Sequence, residues 1–359
     1  MKQLLRNYRT GELGNPDSPG LSRRSHIEIT WKTCLGITIG IVFLYLACRK
    51  IDLDETLLAL RTANYVYLVP TVILTVGSVL IRAYRWKFLL RAIESISFPR
   101  LLSATSIGLM ANNLLPARLG EFVRAYAIGQ ANVSRSSAFA TIVVERILDL
   151  FTLLPLLAVI LVFFPFPAWM VKSGYLVFLF NVAVLGLLIL LRVLPGKVER
   201  FCTSILAPLP RQASERFTVL LKSFIDGLKV LSDIWALLSA VTLSIGLWSA
   251  VALAIWFACL AFSFDLPFYA PLVVLILISI GIMIPSAPGF VGTFQFFSVT
   301  VLSLFDIQQN QALSFSIAFH ATQFIPITLT GLSCLWASKL SLTRVVRAKD
   351  GYKTFCSKE

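Results

Sequence analysis

Six mostly apolar runs recur along this chain, at about 32–48, 64–82, 147–165, 174–192, 234–262 and 312–338. Each is near the roughly 20 residues that carry a helix through the hydrocarbon core of a bilayer. No water reaches backbone groups at that depth, so such runs must be helices that satisfy their own N–H and C=O groups. With 57% hydrophobic and only 14% charged residues, the chain has too much apolar surface to hide in a water-soluble core. A membrane β-barrel would show short alternating segments of about ten residues instead. The composition therefore predicts an all-α polytopic membrane protein.

Basic residues set the expected orientation. They gather before the first run (Lys2, Arg6, Arg9, Arg23, Arg24, Lys32) and after the second (Arg82, Arg85, Lys87, Arg91, Arg100). They gather again in 193–233 and at the C-terminal end. Only Arg49, Lys50, Arg61 and Lys172, four of thirty-two, fall on the other side. Both termini are thus expected in the cytoplasm of a cell inner (plasma) membrane. Residues 1–30 read as a disordered cytoplasmic tail, 31–340 as the transmembrane domain and 341–359 as a basic cytoplasmic tail. The net charge of +14 fits loops facing anionic lipid, and no nucleic-acid partner is expected. The six cysteines share no CxxC or ligand spacing, so neither a metal nor a cofactor is expected.

Two stretches between the runs read alike. Ser106-Ile107-Gly108-Leu109-Met110 leads to Pro116 and Gly120; Ser279-Ile280-Gly281-Ile282-Met283 leads to Pro288 and Gly292. Proline removes a helical donor and glycine loosens the backbone, so each apolar run breaks. The charge assignment makes 101–131 return to the cytoplasmic side and 271–305 to the exterior. Two hairpins entering from opposite faces are what an inverted repeat produces. The expected fold is about six full spans plus two re-entrant helical hairpins related as an inverted repeat. The segment 196–232 reads as a cytoplasmic amphipathic element, because Phe217, Leu220, Leu221, Phe224, Leu228 and Leu231 recur at helical spacing.

Charges at membrane depth usually pair or line a path. The densest polar group near an apolar region is Asn112, Asn113, Arg118, Glu121 and Arg124. Glu121 and Arg124 are three apart and suited to pair on one helix face. A second group is Glu145, Arg146 and Asp149. Glu145 and Asp149 repel at i, i+4, so a basic partner is expected, with Arg118 or Arg124 the candidates. The second hairpin is neutral and offers Ser286, Gly289, Gly292, Thr293 and Gln295. His320 and Gln323 lie together in the last run. The plainer reading makes these structural ion pairs, close-packing glycines and a buried hydrogen-bonded histidine. Arg82, Arg85 and Lys87 with Tyr84 and Trp86 read as an interfacial anchor. No Ser/His/Asp set, metal-ligand spacing or phosphate-cradling glycine loop is present, which favours a transporter over an enzyme.

At these motifs the chain resembles the lysylphosphatidylglycerol synthase transmembrane region family of flippase-like membrane proteins. The matching pieces are 113–121 with Arg124, then Val143-Val144-Glu145-Arg146-Ile147-Leu148-Asp149, then Pro288-Gly289-Phe290-Val291-Gly292, with Arg82 to Leu90 in support. In the bacterial multiple peptide resistance factors this region is associated with moving an aminoacylated phospholipid between leaflets. The resemblance implies a lipid translocase. Arg118, Arg124 and Arg146 would hold a phosphate headgroup. Glu121, Glu145 and Asp149 would balance those cations or take an amine. The implied partner is a phospholipid, glycolipid or polyprenyl phosphate, and a homo-oligomer is compatible with it. Two departures stand out: Gln295 occupies a position where the family often has Glu, and no aminoacyl-transfer domain is expected. The alternative is an integral-membrane enzyme or accessory subunit acting on a polyprenyl-phosphate-linked or aminoacylated lipid.

Overall fold

The computed structural model describes residues 21–49, 51–115, 119–128, 133–163, 168–198, 204, 211–284 and 286–338, and they are helical with no strand among them. The helices in chain order are α1 Leu21–Cys48, α2 Leu53–Thr62, α3 Leu68–Arg91, α4 Phe98–Leu114, α5 Gly120–Ile128 and α6 Arg135–Phe163. They continue as α7 Ala168–Val193, α8 Arg211–Gly227, α9 Ile234–Ala261, α10 Ala270–Gly281, α11 Thr293–Ser303 and α12 Gln309–Ala337.

Starts and stops follow local chemistry. Asp52 caps α2 by accepting from the N–H groups of Asp54 and Glu55, and Asp233 caps α9 by accepting from Ala236 N–H. Prolines stand in the first turns of α4 and α10, where a missing N–H costs nothing. Among the described residues, three helical stretches are long and apolar enough to cross a membrane: Tyr65–Arg91, Ile234–Ala261 and Gln309–Ala337. A fourth is added if Cys34–Cys48 and Leu53–Thr62, bent by 86°, form one span. The count of six rested on apolar runs, and the helices depart from those runs. Residues 147–163 of the run 147–165 are the second half of α6, which starts at Arg135 and carries Glu145, Arg146 and Asp149 in its interior. The run 64–82 extends as α3 to Arg91, so Arg82, Arg85 and Lys87 are in the helix and not in a loop. The helix α1 already includes residues 21–30 of the expected tail.

The order long, short, short, long occurs twice: α3–α4–α5–α6 and α9–α10–α11–α12. The two long helices α3 and α9 pack together along their length, and α12 lies along α4. One apolar core gathers Ala254, Val273, Leu302 and Phe315 among α9–α12; another gathers Trp86, Leu89, Leu101, Ile142 and Leu228 around α3, α4 and α6. At about 1.5 Å per residue, α10 and α11 span roughly 18 Å each or less, short of the ~30 Å hydrocarbon core.

The hairpin of α4 and α5 is closed where two glycines cross. A Cβ on Gly108 would lie 2.9 Å from Gly120 O, and one on Gly120 would collide with Gly108 O. Asn112 Oδ1 then accepts the Gly120 N–H at 2.7 Å and starts α5. Residues 116–118 and 129–132, within this hairpin, lie outside the described residues, as does Pro285 of the second. The amphipathic helix α8 is clamped to the start of α6: Ser136 Oγ donates to Leu220 O at 2.9 Å and Ser137 Oγ to Ser223 O at 2.6 Å. Packing onto α6, as a connector, is therefore part of what its apolar face does.

Candidate functional site

Helices α3, α5 and α6 bring a cluster of charges into the interior of the protein. Asp149 is fourteen residues from either end of α6, the middle of a 29-residue helix. Arg85 and Glu145 are fully buried, and Arg124 and Asp149 are each 4% exposed. Arg85 Nη2 meets Glu145 Oε1 at 2.9 Å; its Nη1 donates to Asp149 Oδ1 and, at 2.6 Å, to Ser244 Oγ on α9. Arg124 Nη1 reaches the same Glu145 oxygen at 3.0 Å. Arg146 is the loosest member, at 3.4 Å from Glu145, 3.3 Å from Asp149 and 3.8 Å from Glu121, with its side chain 35% exposed.

Trp86 shapes one wall. Its indole N–H donates to Thr141 Oγ1 at 2.9 Å, and the Arg124 guanidinium lies over its ring at 3.8 Å. Arg82, one turn before Arg85 on α3, lies over the Trp248 ring at 5.7 Å. Three guanidinium groups thus balance three carboxylates, and Arg82 adds a further cation beside them. Several atoms in this interior keep unused bonding capacity: Nε and Nη2 of Arg124, Nε of Arg85 and Oε2 of both Glu121 and Glu145. Buried groups left this way are costly unless a ligand or water meets them.

A second, neutral network sits at the other hairpin. Gly289 (φ 68°) and Gly292 (φ 92°) occupy the left-handed region, which lets the chain turn between α10 and α11. Gly292 presses on α1 so closely that a Cβ there would collide with Gly40 O. The Gly292 N–H donates to Gln295 Oε1 at 2.8 Å, and Gln295 Nε2 lies 3.0 Å from His320 Nδ1. Ser286 Oγ pairs with Thr293 Oγ1 at 3.0 Å. The two hairpins touch: the Asn113 carbonyl would lie 3.3 Å from a Cβ on Gly289, and Asn113 Nδ2 donates to Thr328 Oγ1 on α12 at 3.0 Å. Gln323 Nε2 donates to Thr75 Oγ1 on α3 at 2.7 Å, which ties α12 to α3.

The sequence-selected residues therefore fall into two groups. Glu121, Arg124, Glu145, Arg146 and Asp149 converge on the charge cluster. Asn113, Gly289, Gly292, Gln295 and His320 converge where the hairpins meet, with Ser286 in the same loop. Asn112 closes the first hairpin, and Arg118 lies outside the described residues. Two expectations are corrected. Glu121 does not pair with Arg124 on one helix face; Arg124 turns across to Glu145, and Glu121 faces Arg146. Arg85 and Trp86 are no interfacial anchor, since both are fully buried. Of the two basic partners expected for Glu145 and Asp149, Arg124 reaches Glu145 and Arg118 is outside the described residues; Arg85 is a further partner that reaches both carboxylates, and the signal that could have found it was that demand at i, i+4. Among the described residues, no three His, Cys, Asp or Glu side chains converge to hold a metal.

Comparison with known proteins points the same way as the motifs. The family profile described as "Lysylphosphatidylglycerol synthase TM region" matches residues 34–331. A UPF0104 membrane protein of Methanocaldococcus jannaschii is 24% identical over 341 residues, covering 90% of this chain and 99% of that protein. One of Methanothermobacter thermautotrophicus is 24% identical over 320 residues, covering 85% of this chain and 95% of that protein. The glycosyltransferase AglD of Haloferax volcanii is 32% identical over 131 residues, which is 35% of this chain and 21% of that protein.

Proposed function

The chain belongs to the lysylphosphatidylglycerol synthase transmembrane region family, and on that premise we propose that it is a lipid translocase, moving a phosphate-bearing lipid between leaflets. The observation that carries this reading is the ion cluster in the middle of α6. Apolar residues of similar volume would hold three helices together at least as well as buried ion pairs. Charges kept at that depth are more readily understood as a path or a binding site. Arg146 is the accessible member and its contacts are the longest, so it is the group most easily recruited to a phosphate. Arg124 still has two unused N–H groups facing the cluster, and Arg82 contributes further positive charge beside them. Glu121 Oε2 is available to an amine on the headgroup. Acyl or prenyl chains would stay in the bilayer.

In this reading the two four-helix units are an inverted repeat whose short helices are re-entrant, and they rock about the contact between Asn113 and Gly289. Both termini would be cytoplasmic and the membrane the plasma membrane. The resemblance to a protein named a glycosyltransferase keeps a second reading open, an enzyme or accessory subunit acting on a lipid-linked substrate. Glu145 is committed to three arginines, so the base such an enzyme requires would be Glu121.

The test is reconstitution into vesicles carrying a fluorescent phospholipid, glycolipid or polyprenyl phosphate, with an impermeant quencher outside. Labelled lipid should exchange between leaflets faster than in protein-free vesicles. Arg146→Gln should slow exchange about tenfold or more, as expected for a lost charge-assisted bond to phosphate. No movement of any of the three lipids would sink the translocase; chemical turnover abolished by Glu121→Gln would favour the enzyme.

A further inference from the structure

His320 is eleven residues into the 29-residue helix α12, with its ring stacked on Phe294 at 4.5 Å and edge-on to Phe324 at 6.0 Å. Its hydrogen-bond network has one consistent direction. The backbone N–H of Gly292 can only donate, and it points at Gln295, so the amide must present Oε1 to it. That leaves the Gln295 NH2 facing His320 Nδ1 at 3.0 Å. An NH2 group also only donates, so Nδ1 must be a bare acceptor and the single ring proton must sit on Nε2. The Gly289 backbone is the other polar partner of the ring. One backbone donor thus fixes the amide, the amide fixes the tautomer, and the tautomer requires a neutral imidazole.

A second ring proton has no place in this arrangement. On Nδ1 it would put N–H against NH2. Turning the Gln295 amide over would mend that contact but set its NH2 against the Gly292 N–H. Either way one bond of the chain is lost, and the residues it holds are those of the turn. Gly292 starts α11 and is wedged against Gly40 of α1; Gly289 sits beside Asn113 of α4. Among the described residues, the groups that face the ring are Phe294 and Gln295 from α11, Phe324 from its own helix and Gly289 from the turn, and none of these is charged.

We propose that His320 is a proton-binding site whose occupancy decides whether the Ser286–Gly292 turn stays seated between α1 and α4. The site would give the molecule a response to a proton gradient at a place where its two hairpins meet. It does not depend on which lipid is carried, or on whether one is.

The sequence contains two histidines, His26 and His320, so the full chain with His26→Gln carries a single imidazole. Histidine-selective 15N labelling of that chain in lipid nanodiscs reads its tautomer directly. Near neutral pH, Nδ1 should be bare and Nε2 protonated. On acidification the second proton should arrive together with an about tenfold drop in the protection of the Gly292 amide, its exchange rate being taken relative to the intrinsic rate at the same pH, the cost of roughly one hydrogen bond. In Gln295→Glu a carboxylate can accept from both neighbours. Its ring should carry both protons near neutral pH, and Gly292 should stay protected as the pH falls. His320→Asn should remove the acid response of Gly292. The proposal is overturned by a proton on Nδ1 at neutral pH, by a ring that never takes its second proton, or by a second proton that leaves Gly292 protection unchanged. These readouts need no lipid movement, so they stand or fall apart from the vesicle assay.

Discussion

Arg85→Met is the most demanding test of the charge cluster. Methionine keeps much of the side-chain volume and removes the cation. In the native protein Glu145 faces Arg85, Arg124 and Arg146, whereas Asp149 faces only Arg85 and, at 3.3 Å, Arg146. Without Arg85, Arg124 and Arg146 are the arginines left in direct contact with the three carboxylates among the described residues, with Arg82 nearby but not bonded to them, and Asp149 depends for contact on an arginine that Glu145 and Glu121 also share. Ser244 loses little, because its hydroxyl still donates to Ala240 O at 2.8 Å. The cost is therefore that of one uncompensated buried charge, about 3–5 kcal/mol, or roughly two to four decades in the unfolding constant. Adding Asp149→Asn removes the surplus carboxylate and should recover about half of that loss. Arg82→Met is the control: the same helix, one turn away, over a tryptophan ring and with no ion pair among the described residues, so it should cost about 1 kcal/mol or less. Detergent-driven unfolding in mixed micelles, followed by tryptophan fluorescence, would measure all three. If Arg85→Met costs no more than Arg82→Met, or if the double variant is less stable than Arg85→Met alone, the charge-balance argument is wrong.

Other outcomes follow from close approaches and single bonds. Gly120→Ala drives a methyl into Gly108 O and the Asn112 side chain, and should destabilise by about 2 kcal/mol or more, whereas Gly246→Ala, with open space around it, should be neutral or slightly stabilising in the same unfolding measurement. Asn113→Leu removes the donor to Thr328 Oγ1 and the Phe324 carbonyl; about 1–2 kcal/mol should be lost, and hydrogen exchange should rise in the Pro288–Phe290 turn before it rises in α12. Glu121→Gln should leave stability within about 1 kcal/mol, since its ion-pair partner among the described residues, Arg146, is 3.8 Å away, yet weaken binding of amine-bearing lipids relative to phosphate-only ones, as seen by competition in vesicles.

The charge pattern around Glu145 and Asp149 could be read ahead of the structure because two carboxylates one turn apart in an apolar helix need a cation. Of the cations that answer, Arg124 was among the candidates and Arg85 was not. Arg82 and Arg85 share a basic, aromatic stretch that looks like any interfacial flank, and only the packing of α3 against α6 and α9 separates the buried arginine from the one over Trp248. Arg124, one of the two expected partners, does reach Glu145; the contact expected for it with Glu121 is the one that fails. Three-residue spacing allowed a contact with Glu121, but the Gly108–Gly120 crossing turns α5 so that Arg124 faces α6. Gln295 and His320 were each singled out separately, and nothing in the sequence between these positions, 25 apart, joins them. Their bond exists because α11 folds back onto α12.

What the sequence determined by itself was the solvent and the local breaks: apolar runs that have to be helices, and Pro and Gly positions where those helices stop. These follow from the cost of unsatisfied backbone in lipid and from φ restrictions, both properties of a few neighbouring residues. The tertiary structure alone decided which charges neutralise one another and in which direction the Gly292–Gln295–His320 bonds run. Those are set by distances of about 3 Å between helices far apart in the chain, and energies that fall off so steeply leave no trace in linear spacing.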